Sequence, residues 1–529
     1  MPNKKISSET GNAALDLAID TINIGKQALV FANTKRSAEK TAEDIAKKVK
    51  TNNEKLVELS SNVLKALSSP TKQCQRLALC IKKGIAFHHA GLVAKQRELI
   101  EDNFRNGLIK VICCTPTLAF GLDLPAFRAI LKDLRRYGPR GMAYIPVLEY
   151  LQMAGRAGRP KFDKTGEAII VAISKNDKKK LYEQYVLGQP EDIYSKLAVE
   201  PVLRTYLLSL IAANFVNTKK QIIDFFSKTF WAYQFVDMDR LVLIIDKMFD
   251  LLSDWEFIQR KKEDFTSADK IDDTRTTSGT NSVGDENIKA TLMGKRVAEL
   301  YIDPLTAYFF ITCLRNASDK KVNEFSFLQM VCHTLEIRPL LRVGVKEQEK
   351  IQEELVKYYD LLLEKEPSIY EPEYEDYINS IKTALMLHEW INEKTEEYLL
   401  ENYNARPGEL RSKLSLADWL LYSGEEISRI LHYQQLNKEI VRLRLRLKHG
   451  VKEELLPLIK IKGVGRIRAR KLFYNRIKDI GDVKKADMTK LVQILGQNVA
   501  LNVKKQVGQE IKEVPKGKRK GQISLLKDY

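Results

Sequence analysis

Between residues 25 and 175, short apolar runs alternate with amphipathic stretches, a pattern that predicts strands separated by helices. ALVFA (28–32) precedes a helix-like stretch, Ser37–Lys50, with Ser37 suited to cap it. IAFHHA (85–90) precedes a helical Val93–Arg105, and VICC (111–114) precedes the short run RAILK (128–132). Leu148–Ala157 reads as a helix and EAIIVAI (167–173) as a strand. Such an order implies βαβ units and a mostly parallel sheet, that is, one α/β domain.

Beyond residue 190 the period changes. Residues 196–260 hold apolar-periodic helices that end in WEFI (255–258), a short strand candidate. The polar stretch 263–287 reads as a loop, and IKAT (288–291) after it is placed to pair with WEFI. Helices flanking such a hairpin suggest a winged-helix module. Residues 298–449 have few helix breakers and predict a helical bundle. RLRLRL (442–447) alternates like a strand, but its neighbours on both sides are helical, so it is read as helix. A compact basic segment at 450–505 and a Lys-rich tail follow, and no internal repeat is present.

Composition narrows the class. The 529 residues suggest three to five domains, and 44% apolar content excludes a wholly disordered chain. No apolar run approaches the ~18 residues a membrane span needs, and the polar MPNKKISSETGN has no signal core, so the protein is expected to stay inside the cell. The charge is +18, yet residues 353–401 carry 14 acidic and 4 basic side chains. Residues 458–478 carry eight Lys/Arg and no acid, which points to a polyanion at that segment. Cys74, Cys80, Cys113, Cys114, Cys313 and Cys332 form no metal-ligand spacing, and Cys113 and Cys114 read as core residues. His88 and His89, as strand neighbours, should face opposite ways.

The most informative stretch is QMAGRAGRP, Gln152–Pro160. Arg156 and Arg159, three apart near a helix start, would share a face, and a guanidinium fork suits phosphate oxygens. Gly155 and Gly158 remove bulk, so a ligand or another domain can approach the backbone. Taken alone, two surface arginines on a Gly-rich turn is the favoured reading. They are not alone, because TPTLAFGLDLPA (115–126), LVFANTKRSAE (29–39) and FHHAGL (87–92) each follow a predicted strand. Loops at the carboxyl ends of parallel strands are where α/β folds bind ligands.

In order and spacing these blocks resemble motifs IV, IVa, V and VI of superfamily 2 helicases. The wording of "TPTLAFGLDLPA … EYLQMAGRAGRP … DKTGEAI" is similar to Ski-like archaeal DNA repair helicases, over nearly the whole chain. The resemblance implies a second RecA-like domain at 1–187, a winged helix at 188–297, a helical ratchet domain at 298–449, a helix-hairpin-helix domain at 450–505 and a basic tail at 506–529. It implies that Arg156 and Arg159 face ATP phosphates, with Gln152 beside them, and that Gly121 and Asp123 link nucleotide to nucleic acid. The family usually has Asn where Asp123 stands. Asn33, Thr34 and Thr115 match positions that touch the nucleic-acid backbone. DLRRYGPRGMAYIP (133–146) lies where the family has a strand-separating hairpin, with Tyr137, Met142 and Tyr144 available as a wedge; an ordinary Gly/Pro loop is the alternative.

GELRSKLSLADWLLYSGEEISRIL (408–431) resembles the ratchet helix, so Trp419 would stack on a base, against the plainer reading of a core Trp. The family tends to place Arg seven residues before this Trp, where Ser412 stands, and Arg411 and Lys413 flank it as substitutes. LPLIKIKGVGRIRARKL (456–472) has the helix-hairpin-helix pattern by itself. Gly463 and Gly465 expose backbone N–H groups at a helix start, with Arg466, Arg468, Arg470 and Lys471 around them, which predicts sequence-independent DNA backbone binding. GQISLLKDY (521–529) faintly resembles a sliding-clamp box through Gln522, Leu525 and Tyr529, although a frayed tail is favoured.

No Walker A loop, G-x-x-x-x-G-K-[ST], occurs in the sequence, and the one Asp-Glu pair, Asp285-Glu286, lies in the polar loop. The expectation is the C-terminal portion of an ATP- and Mg-dependent 3'–5' helicase on single-stranded and forked DNA. It would be inactive alone, because a separate P-loop RecA-like chain would supply the metal and most phosphate contacts. Two alternatives stay open: a motor-less DNA-binding adaptor or gene fragment, and an RNA helicase relative.

Overall fold

The computed structural model describes residues 6, 8, 10–120, 124–138, 141–158, 163, 165–197, 199–235, 237–261 and 287–508. They fall into two compact units, Met1–Tyr194 with Thr395–Ser412, and Ser195–Lys394 with Lys413–Tyr529.

In the first unit, β1 (Ala28–Phe31), β2 (Ile85–His88), β3 (Val111–Cys114) and β4 (Arg128–Leu131) are followed by a hairpin of β5 (Arg135–Gly138) and β6 (Gly141–Tyr144), then by β7 (Glu167–Ile170). The main sheet has the order β2-β3-β1-β4-β7, and every pairing in it is parallel. β1 to β4 are buried at every position, as continuous apolar runs in a two-sided sheet should be, and β7 at the edge is only half-buried. The predicted α/β domain is therefore present. Fully buried Arg128 joins it together: its Nη1 donates to Leu17 O (3.0 Å), Thr21 Oγ1 (2.7 Å) and Asp20 (2.9 Å), and its Nε donates to Glu167 (2.7 Å).

Local signals set the helix starts. Lys35–Lys48 is capped by Thr34, whose side chain accepts from Ser37 N; Ser37 therefore lies inside the helix and does not cap it. Helices Ala13–Asn23, Glu54–Leu64 and Lys72–Ile81 were absent from the strand–helix reading, although Asn12, Asn53 and Thr71 cap them in the ordinary way. The helix before the Gly-rich arginine stretch ends at Ala154 with Gly155 as its C-cap. Arg156 thus follows a helix C-terminus rather than lying near a helix start, and Arg159 lies outside the described residues.

Among its described residues, the second unit has helices and one hairpin as its regular elements. β8 (Ile258–Lys261) pairs antiparallel with β9 (Asn287–Ala290), so the two runs expected to pair do so, the first displaced three residues toward the C-terminus. RLRLRL lies inside the helix Gln434–His449. Glu373–Ile391 is a central helix with the run Tyr377–Leu387 buried throughout. Residues 451–503 form a small separate core around Leu455, Leu458, Ala469, Leu472 and Leu491. Among the described residues no single helix is long and apolar enough to cross a membrane.

Candidate nucleotide and nucleic-acid interfaces

The chain segments that leave β1 to β4 meet at the carboxyl edge of the sheet. They line a cleft of about 540 Å³ that contains Asn33 and Thr34 after β1, Ala90 after β2, Thr115 and Phe120 after β3, and Asp133 after β4. Three positions expected at the nucleic-acid backbone, Asn33, Thr34 and Thr115, are thus brought together. Their donors are partly engaged. Asn33 Nδ2 donates to Asp133 Oδ2 (2.9 Å) and Arg135 O (2.8 Å), which ties β1 to the hairpin and leaves its amide only an acceptor. Thr34 Oγ1 accepts the capping N–H, and Thr115 Oγ1 lies 2.8 Å from Thr117 Oγ1.

The cations of the same cleft supply what those side chains do not. Lys35, Arg36, Arg136 and Arg406 all line it. Lys35 pairs with Glu409, and Arg136 with Glu149 at 3.1 Å. Arg36 is exposed and makes no ion pair among the described residues. Lys35 and Arg36 stand beside Thr34 in the quoted motif and were legible there. Arg406 had no such signal, because it lies 367 residues from Glu39 in sequence.

Beneath the cleft lies a buried charge group. Glu39, 3% exposed, receives Gln73 Nε2 (2.7 Å), Arg76 Nη1 (2.8 Å) and Arg406 Nε (3.3 Å), with His89 Nε2 at 3.2 Å. Burial alone would raise its pKa, but hydrogen bonds from His89 and Gln73 and the charge of Arg406 outweigh burial and hold it at about 2. His89 Nδ1 accepts Gly91 N–H (3.1 Å), and burial lowers the ring's pKa, which disfavours the charged ring. His88 instead meets Glu101 at 2.8 Å, so the adjacent histidines do face different helices.

The Gly-rich arginine turn is clamped to the segment after β3. Ala126 N–H donates to Arg156 O (2.9 Å), Gly158 N–H donates to Ala126 O (2.6 Å), and Arg156 Nη2 donates to Ala119 O at 2.5 Å. Motifs V and VI are therefore one structure. Gly158 has φ +95°, and a Cβ on Gly166 would overlap the Gly158 backbone. The close backbone approach at Gly158 is thus with Gly166 of this chain. Gln152 is half-buried in the last turn of the preceding helix. Arg159, Gly121 and Asp123 lie outside the described residues, as do the side chain of Tyr137 and the whole of Gln522, Leu525 and Tyr529.

The expected hairpin forms, with Tyr137 opposite Met142 and Arg135 opposite Tyr144. Met142 is 60% exposed. Tyr144 sits at the hairpin base, half-buried, with Lys180 Nζ 4.7 Å above its ring.

In the second unit, Trp419 is half-buried and its Nε1 donates to Leu300 O at 3.0 Å. The indole is anchored by its N–H, with part of the ring still open. Lys413 is buried and donates to the carbonyls of Ile337 and Pro339, so it cannot replace the arginine absent at Ser412. Arg411, in the first unit, is exposed and paired with Glu396. Gly463, at φ +89°, and Gly465, the N-cap of helix Arg466–Tyr474, both face open space. The arginines there differ in role. Arg468 Nη1 donates to Gly463 O (2.8 Å), Arg466 lies 4.9 Å over Trp390, and Arg470 is held by Glu393 and Glu454. Arg470 is thus a structural member, while Lys471 is exposed.

A parallel RecA-like sheet with helicase motifs at its strand ends, followed by helical domains, defines a superfamily 2 helicase. A family model described as "Helicase conserved C-terminal domain" matches residues 12–161, and one described as "Archaeal helicase, domain 4" matches 325–450. The chain is 37% identical over 528 residues to the ATP-dependent DNA helicase Hel308 of Methanococcus vannielii, covering 96% of this chain and 69% of that protein. It is 38% identical over 527 residues to the Hel308 helicase of Pyrococcus abyssi, covering 98% and 69%. The chain belongs to the Hel308 family of archaeal helicases.

Proposed function

We propose that the chain is the C-terminal part of an ATP-dependent 3'–5' DNA helicase that unwinds forked or repair-intermediate DNA in the cytoplasm, on nucleoid DNA. A P-loop RecA-like domain from a separate chain completes the motor. The observation that carries this reading is the clamp joining Arg156 to the segment after β3, at the strand ends of one parallel sheet. The domain division is 1–187, 188–297, 298–449 and 450–505, with a tail at 506–529.

Arg156 and Arg159 bind ATP phosphates, with Gln152, Gly121 and Asp123 around them, and the partner domain holds Mg. The fit of Arg156 is favourable because Ala119 O holds one amino group and fixes the direction of the rest. ATP hydrolysis supplies the free energy for strand movement. The strand lies over Asn33, Thr34 and Thr115, meets Trp419 and Arg411, and contacts Gly463, Gly465, Arg466 and Arg468 through phosphates. The hairpin separates strands with Met142.

Mixing the chain with a cognate P-loop domain is expected to give strand-stimulated ATP hydrolysis and unwinding. In Arg156→Ala both should fall by about 10³ or more. Binding without hydrolysis, indifferent to Arg156, would identify a motor-less adaptor instead. Competition that favours RNA over single-stranded DNA would identify an RNA helicase relative.

A further inference from the structure

Within the first unit, residues 395–412 pack on the segment after β2 through close backbone contact. Gly408 N–H donates to Gly91 O at 3.0 Å, and a Cβ on Gly408 would overlap the carbonyls of Ala90 and Leu92. A Cβ on Gly91 would in turn overlap Arg406 Cδ. The side chain of Arg406 therefore crosses the backbone at Gly91, and only glycine there leaves it room. Beyond that crossing, Nε donates to Glu39 Oε1 at 3.3 Å. Nη1 lies 3.9 Å from Glu409, too far for a hydrogen bond. Among the described residues neither Nη group donates a hydrogen bond, and neither is a buried orphan. A guanidinium has five donors in a fixed fork, so four N–H groups make no hydrogen bond among the described residues, on a side chain that lines the cleft.

We propose that the Nη fork of Arg406 holds a backbone phosphate of the strand lying beside Asn33, Thr34 and Thr115, with Glu39 as its positioning residue. This rests on the strand-binding reading above. Three features support it. The side-chain amide of Asn33 has no free donor to offer a phosphate, whereas the Nη groups of Arg406 make no hydrogen bond among the described residues. Glu39 is buried and charged, so it fixes the guanidinium by Nε and leaves the fork outward. Planar forks match phosphate oxygens two at a time, which a lysine cannot do.

The test is fluorescence anisotropy of a labelled oligothymidylate with the full chain, between about 50 and 200 mM salt. For Arg406→Ala we expect several-fold weaker binding and a slope of log K against log salt reduced by about 0.7, the share of one single-strand phosphate contact. Arg406→Gln keeps a donor toward Glu39 and loses the charge, so it should show the same reduction while staying folded. Glu39→Gln should weaken binding with the slope intact, because the fork keeps its charge and loses its orientation. A folded Arg406→Gln chain with the wild-type slope overturns the proposal. If the wild-type chain itself binds the strand without salt dependence, the strand-binding reading fails as well, and the two failures are told apart.

Discussion

Glu39 shows how one residue can be essential to a site without being visible in its motif. In the sequence it is an ordinary acid three places after the arginine of LVFANTKRSAE. In the fold it is 3% exposed and is met by residues from three other places in the chain, Gln73 and Arg76, His89, and Arg406. Periodicity reports which face of a helix is buried, but it cannot report which distant side chains will neutralise a charge there. The energetic consequence is checkable. The folded pKa is about 2, below the usual 4.5, so the carboxylate stabilises the fold fully above about pH 4.5. That stability is lost as pH falls toward 2. Against Glu39→Gln, the wild-type chain should hold an advantage on the order of 3 kcal/mol near neutrality, at about 1.4 kcal/mol per pKa unit. The advantage should vanish toward pH 2 when thermal midpoints of the two chains are compared across that range. A pH-independent difference would mean that the carboxylate's hydrogen-bond geometry matters and its charge does not.

Elements were legible where local chemistry specifies them and less so where packing does. The four fully buried strands announced themselves as apolar runs, whereas helices Glu54–Leu64 and Lys72–Ile81 did not enter the strand–helix alternation. The hairpin β5–β6 was expected from the family resemblance, since its residues by themselves read as a Gly/Pro loop, and the packing of Tyr144 was not legible at all. Tyr144 is drawn back to the base by Lys180 and Tyr185, a contact no turn rule contains. The basic helix Arg466–Tyr474 divides similarly, since Arg470 is neutralised by Glu393 and Glu454 from outside its own motif. Met142, 60% exposed, is then the wedge candidate that costs the fold nothing to change. Met142→Ala is expected to leave the thermal midpoint unchanged, within about 0.5 kcal/mol. In the mixture with a P-loop domain it should slow unwinding of a fork several-fold while strand-stimulated ATP hydrolysis persists. Loss of both activities together would assign Met142 to strand binding, and loss of neither would remove the hairpin from strand separation.

For the whole molecule, the +18 charge matters less than its segregation. Residues 353–401 carry 14 acidic and 4 basic side chains, and part of that excess is not consumed by pairing. Glu353, Glu373 and Glu375 are exposed and make no ion pair among the described residues. A strand attracted by the basic segments is therefore repelled from this stretch, and the field decides where non-specific encounters end. Such repulsion acts at a distance, so salt should abolish it before it abolishes direct phosphate contacts. The Debye length is about 30 Å near 0.01 M salt and about 8–10 Å in the 0.1–0.15 M range. A chain with Glu353→Gln, Glu373→Gln and Glu375→Gln should bind a single strand measurably tighter near 0.01 M salt. Its binding curve should merge with that of the wild type above roughly 0.15 M. A difference that survives at the higher salt would mean that the glutamates touch the strand or compete for its cations directly, and the field account of the acidic stretch would fall.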